Sequence, residues 1–246
     1  NPDGVWAGGA FPTNVVKRDL SGYNALSFWA KASADVTIGL FGIGNDNTGL
    51  SLYDAEWQNV SVGTEWAQYF IPMPNPDLIT AEQGLFHYST ANNNGAGFEL
   101  WLDEIQYTLT DNISDPSPVL LTQTIEAGIG SEATITGSTV SFDVNGTEQV
   151  VSIAPACLTY FSSDEAVAWI TATNTISVVG SGTAIITAKL GDVDAQGSVT
   201  INSFATPTNP PESPTEAAGD VISLFSNAYA NSLVDHWSTD WDLADV

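Results

Sequence analysis

The chain has 246 residues, 43% hydrophobic and 10% aromatic, enough apolar side chain for genuine cores and, at this length, for two domains. Its 29 acidic residues face only 4 basic ones, a formal charge of −25, which excludes partners that Lys and Arg must hold, such as nucleic acid or an anionic membrane surface. No apolar run approaches the ~20 residues of a membrane-spanning helix, so no membrane insertion is expected.

The start, Asn1-Pro2-Asp3-Gly4, has neither Met nor a signal-like run and lies close to strand-like sequence, so a part of something longer is expected. Acid excess with scarce Lys suits a secreted or cell-surface protein in salty surroundings, where screening weakens self-repulsion. From residue 11 to 203 the helical period is nearly absent. Short β-rich runs alternate with Gly, Asn, Asp and Pro, which reads as all-β. Strands are predicted at 25–32, 36–43, 58–62, 66–72, 84–89 and 97–108, with polar loops at Gly44-Asn45-Asp46-Asn47-Thr48-Gly49 and Asn92-Asn93-Asn94-Gly95.

Two of these strands carry a tryptophan on the wrong phase. Leu26, Phe28 and Ala30 share one face, and Trp29 with Lys31 takes the other; Phe98, Leu100 and Leu102 share one face, and Glu99, Trp101 and Asp103 the other. A large ring among charged residues suits a flat partner that wants stacking and polar contacts, as a sugar ring does. A second layer or a loop covering both rings would explain them equally well. Trp66 and Phe70 share a strand phase and are expected in the core.

The segment Asp111-Asn112-Ile113-Ser114-Asp115-Pro116-Ser117-Pro118 has the composition of a short linker, giving a first domain at 1–112. Further strands are predicted at 133–136, 139–144, 148–153, 167–172, 175–179, 183–189 and 195–201, a sandwich pattern over 119–204. A Pro-rich linker follows at 205–219. The segment 220–246, with Trp237 and Trp241, has the density of a folded unit but is too short to complete one; it reads as the start of a further module or a strand-donating tail.

The stretch Ser162-Ser163-Asp164-Glu165-Ala166-Val167-Ala168 with Ile176 to Ala188, including Gly182-Thr183-Ala184-Ile185-Ile186-Thr187-Ala188, resembles the bacterial immunoglobulin-like group 2 domain. That resemblance implies a spacer or adhesin-type sandwich without chemistry of its own. From Gly4-Val5-Trp6-Ala7-Gly8-Gly9 to Trp101-Leu102-Asp103-Glu104-Ile105 the first part resembles the β-sandwich carbohydrate-binding modules of bacterial polysaccharide-degrading systems, without their opening segment. The tail from Asp220 resembles such an opening. Together the resemblances imply a jelly-roll-type sandwich, an immunoglobulin-like sandwich and a partial β module.

Catalysis is not expected. Glu99 and Asp103 match positions i and i+4 of a laminarinase-type glycosidase strand, but Trp101 replaces the helper carboxylate and Glu104 falls on the other face. His87 and His236 have no spaced partner for a metal or a nucleophile. Cys157 is the sole cysteine and reads as a small buried apolar residue. Binding needs less: rings to stack, with acceptors beside them. The candidates are Trp6, Trp29, Tyr53, Trp57, His87, Tyr88 and Trp101. Trp6 lies between glycines that leave room for a ligand, or plugs the end of the sandwich. His87 shares a phase with Leu85, which points to burial as much as to ligand contact. The resemblance further implies a structural calcium ion capped by Asp103, and loop oxygens such as those of Asn45-Asp46-Asn47 suit that ion.

The function expected is non-catalytic binding of a neutral polysaccharide, a laminarin-like β-glucan favoured, in a surface glycan-binding lipoprotein or a multimodular glycoside hydrolase. The other reading is a structural repeat of an extracellular filament or adhesin, associating head to tail as the C-terminal segment adds a strand to the next copy.

Overall fold

A computed structural model describes residues 6–13, 15–45, 52–91, 97–171, 174–205, 212–224, 226 and 228–233. Residues 1–205 form one compact unit and 206–246 a second. The chain is nearly all β, built as packed, mostly antiparallel sheets.

The first part holds β1 (Trp6–Pro12), β2 (Ala25–Ala32), β3 (Val36–Ile43), β4 (Ala55–Val62), β5 (Ala67–Pro72), β6 (Gly84–Ala91) and β7 (Leu100–Thr108). Strands β1, β6, β3 and β4 lie side by side in one sheet, and β5, β2 and β7 form another. The two sheets meet through aromatic rings: Phe28 of β2 lies 4.8 Å from Phe41 of β3 and 5.5 Å from Phe86 of β6. All three are fully buried. Strand β1 escapes prediction because Trp-Ala-Gly-Gly-Ala-Phe-Pro carries no β-branched residue; pairing with β6 along its length makes it a strand.

Strand β7 keeps two apolar phases. Leu100 and Leu102 pack against the core, and so do Ile105 and Tyr107, one residue out of step. Glu104 absorbs the step with a left-handed backbone (φ 47°), where the register against β2 shifts between Ser27 and Trp29. This bulge corrects the expected alternation, because Asp103 and Glu104 are both exposed.

The second part holds β8 (Ile113–Val119), β9 (Gln123–Gly128), β10 (Glu132–Thr134), β11 (Thr139–Val144), β12 (Thr147–Ile153), β13 (Thr159–Ser162), β14 (Ala168–Ile170), β15 (Thr175–Val178), β16 (Gly182–Leu190), β17 (Val193–Asp194) and β18 (Val199–Phe204). Its sheets run β13-β16-β18-β9, with β17 on β16, and β10-β15-β14; β8, β11 and β12 lie side by side. Val140, Val151, Ile176, Ala184, Ile186 and Ile201 are fully buried among them.

The expected linker is strand β8. Its Pro116 and Pro118 lack an N–H to donate, which a strand at the rim of a sheet tolerates, and Asp115 takes a left-handed turn (φ 52°) where the register with β11 shifts. Strand β12 also pairs with β4, Ser152 opposite Glu56 and Ile153 opposite Ala55, so a seven-stranded sheet runs β1-β6-β3-β4-β12-β11-β8 through both parts. Gln149 Nε2 donates to the Phe70 carbonyl (2.9 Å) and Asn75 Nδ2 to the Cys157 carbonyl (3.3 Å), reinforcing the same seam.

Cys157 is buried at this seam. Burial, with the Asp54 carboxylate nearby, pushes its thiol up to about 12 against an ordinary 9. Tyr107 and Tyr160 are also raised by burial. Each group is favoured uncharged in the folded state, so its contribution is complete below its unfolded pKa and is lost as pH climbs through the folded one. Stability is therefore expected to fall between pH 9 and about 12, and Cys157 to resist a thiol reagent at pH 8 until denaturant unfolds the chain. Rapid labelling of the native protein would contradict this placement.

In the second unit Ser223 bridges Asn231, with Ser223 Oγ donating to Asn231 Oδ1 (2.8 Å), and the Tyr229 hydroxyl donates to the Glu216 carbonyl (2.7 Å). Most of the expected strand-donating tail, including His236, Trp237 and Trp241, lies outside the described residues.

Candidate functional site

The outer face of the β5-β2-β7 sheet is a two-row grid fixed by register. Strand alternation that turns Phe28 inward turns Trp29 and Lys31 outward. Trp29 stands opposite Gln68 on β5 and Asp103 on β7, and Lys31 stands opposite Trp101. Ala67 faces Ala30, so Trp66, the residue before it, falls on the other flank of Lys31. The ammonium of Lys31 lies 5.1 Å from the Trp66 ring centre and 5.2 Å from that of Trp101. One row is therefore Trp66–Lys31–Trp101, and the next is Gln68–Trp29–Asp103.

Neighbouring strands are about 4.8 Å apart, so the backbones under Trp66 and Trp101 are roughly 10 Å apart, the length of about two sugar rings. The cation between the rings contributes about 0.5–1 kcal/mol per exposed ring. Trp66 and Trp101 are 42% and 40% exposed, and Trp29 is half-buried. Trp66 corrects an expectation. It shares the phase of Phe70 but not its burial: Ser27 and Phe70 are buried, and the face is open by Gln68.

Asp103 uses Oδ1 to accept the Glu104 N–H (2.8 Å), which closes the bulge. Ca²⁺ requires six to eight oxygens, and no group of three or more His, Cys, Asp or Glu side chains able to hold a metal occurs among the described residues. The loop at Asp46 and Asn47 lies outside them.

The outer face of the β1-β6-β3-β4 sheet carries a cleft of about 290 Å³ lined by Trp6, Gly8, Leu40, Glu56, His87 and Ser89 among others. Two glycines shape it. The indole of Trp6 lies over Gly8, where a Cβ would come within 2.6 Å of its ring, so that glycine makes room for the ring itself. At Gly42 a Cβ would collide with Cε1 and Nε2 of His87. Without one, the imidazole reaches across β3 to Glu56 Oε1 on β4, 3.2 Å from its Nε2. His87 is only 5% exposed, and Trp6 is 58% exposed. Gly42→Ala is expected to push His87 off Glu56 and lower the unfolding temperature by several degrees; an unchanged His87 environment in an NMR spectrum would contradict it.

The remaining candidates face inward. Trp57 stands opposite the buried Phe41 and packs 6.0 Å from Tyr69. Tyr88 packs on Phe41 and Phe86, and Tyr53 on the same core. The structure thus groups Trp29 and Trp101 on one face and Trp6 and His87 on another, where Tyr88 also lines the cleft while its ring packs on the core, and it holds Trp57 and Tyr53 against the core. Sequence reasoning missed Trp66, Gln68 and Glu56. The signal for Trp66 was present in the Lys31 phase, but only the β2–β5 register aligns the two. Comparison of the sequence with protein-family models and with curated proteins finds no match.

Proposed function

We propose that the chain binds a neutral polysaccharide without altering it, a laminarin-like β-glucan being favoured, as part of a secreted or cell-surface bacterial protein. The observation that carries this reading is the Trp66–Lys31–Trp101 row, with Trp29 and its flanking Gln68 and Asp103 behind it. Indole faces take the C–H side of a pyranose, and the amide and carboxylate take its hydroxyls. The formal charge of −25 disfavours sulfated or uronic chains, and the one cation on the face is already shared by two rings. The first sandwich resembles a carbohydrate-binding module and the second an immunoglobulin-like spacer, an arrangement suited to holding glycan away from a surface. Affinity electrophoresis in gels containing laminarin, mixed-linkage glucan, cellulose derivatives or polygalacturonate tests the proposal. Retardation is expected with at least one neutral glucan and not with polygalacturonate. A mobility unaffected by every neutral glycan refutes it.

A further inference from the structure

We infer that the cleft beside Trp6 is a second sugar site, sized for one or two pyranose rings, so that one molecule holds glycan on two opposite faces. The class of ligand rests on the glycan reading above; the site itself stands on separate geometry. Its volume, about 290 Å³, falls at the small end of ligand pockets, where an extended polymer does not fit but a chain end does.

The parts match a sugar residue. Trp6 is the most exposed tryptophan described, and its indole lies along the strand over Gly8, leaving ring surface for stacking. Glu56 supplies an acceptor for a pair of neighbouring hydroxyls. Its carboxylate is held in place by the buried His87 at 3.2 Å, so little freedom is lost when a ligand binds. Ser89 follows His87 on the same face of β6 and adds a hydroxyl to the wall. A carboxylate in a chain of this charge rejects anionic sugars. Between this cleft and the Trp66–Lys31–Trp101 row lies the aromatic core of Phe28, Phe41 and Phe86, so the two cannot be parts of one site.

Calorimetry with laminaritriose on the full chain tests the inference, using Trp66→Ala/Trp101→Ala to remove the flat face and Trp6→Ala to remove the cleft ring. Trp6 and the flat-face rings are exposed, so these variants are expected to fold, as far-ultraviolet circular dichroism checks. Binding is expected to persist in the double variant and to weaken at least about tenfold when Trp6→Ala is added. Glu56→Gln in the double variant is expected to weaken it as well. Loss of all binding in the double variant overturns the second site while upholding the flat face. Binding in the double variant that is indifferent to Trp6→Ala also overturns it. Loss on Trp6→Ala alone, with the double variant intact, upholds the cleft and counts against the flat face.

Discussion

Replacing Trp66 and Trp101 together by alanine is expected to cut retention on a neutral glucan gel to the weak remainder that chain ends in the Trp6 cleft provide, while leaving the fold intact. Both rings are about two-fifths exposed beside Lys31, and a central stacking ring of this kind contributes about 2 kcal/mol, roughly 30-fold in Kd. Two such losses move a micromolar affinity of this face beyond detection and leave the cleft's contribution alone. The structural cost is small, because the rings are exposed and each cation–π interaction with Lys31 is worth only about 0.5–1 kcal/mol. Lys31→Met separates stacking from charge: it keeps an apolar stem between the rings, so neutral-glucan binding is expected to change little. A large loss with Lys31→Met alone would mean that the ligand is anionic.

The second large effect is on stability. Phe28→Ala is expected to cost about 3–5 kcal/mol, a substantial part of the roughly 5–15 kcal/mol typical of a folded domain. Phe28 is fully buried and joins the two sheets, with Phe41 at 4.8 Å, Phe86 at 5.5 Å and a stacked Tyr69 at 5.5 Å. Removing it opens a cavity bounded by rings that cannot all collapse into it. Strand β2 also carries Trp29 and Lys31, so glucan retention should fall together with the denaturant midpoint. A loss of under about 1 kcal/mol in denaturant unfolding would mean that the sheets are not joined there.

Period-two alternation made the outward phase of Trp29 and Trp101 legible, since each lies within an unbroken run of inward apolar residues. The same rule failed at Glu104, where one residue in a left-handed conformation resets the phase and no local signature announces it. It failed at Trp66 for another reason. Burial on that face changes along the strand, Phe70 being buried while Gln68 and Trp66 are exposed, and alternation alone does not encode where the cover ends. The all-β class and most strands followed from composition, but the segment 111–118 did not, because proline excludes a central strand and not a rim one. The pairing of Glu56 with His87 depends on Gly42 of a third strand, and no spacing along the chain encodes it.

Oxidative footprinting of the tryptophans, read by mass spectrometry with and without laminarin, tests the glycan-binding face most directly. Protection is expected at Trp29, Trp66 and Trp101. Trp169, 42% exposed in the second sandwich, should oxidise equally in both samples and serves as the internal standard. Equal oxidation of all four rings with and without glucan would contradict the assignment.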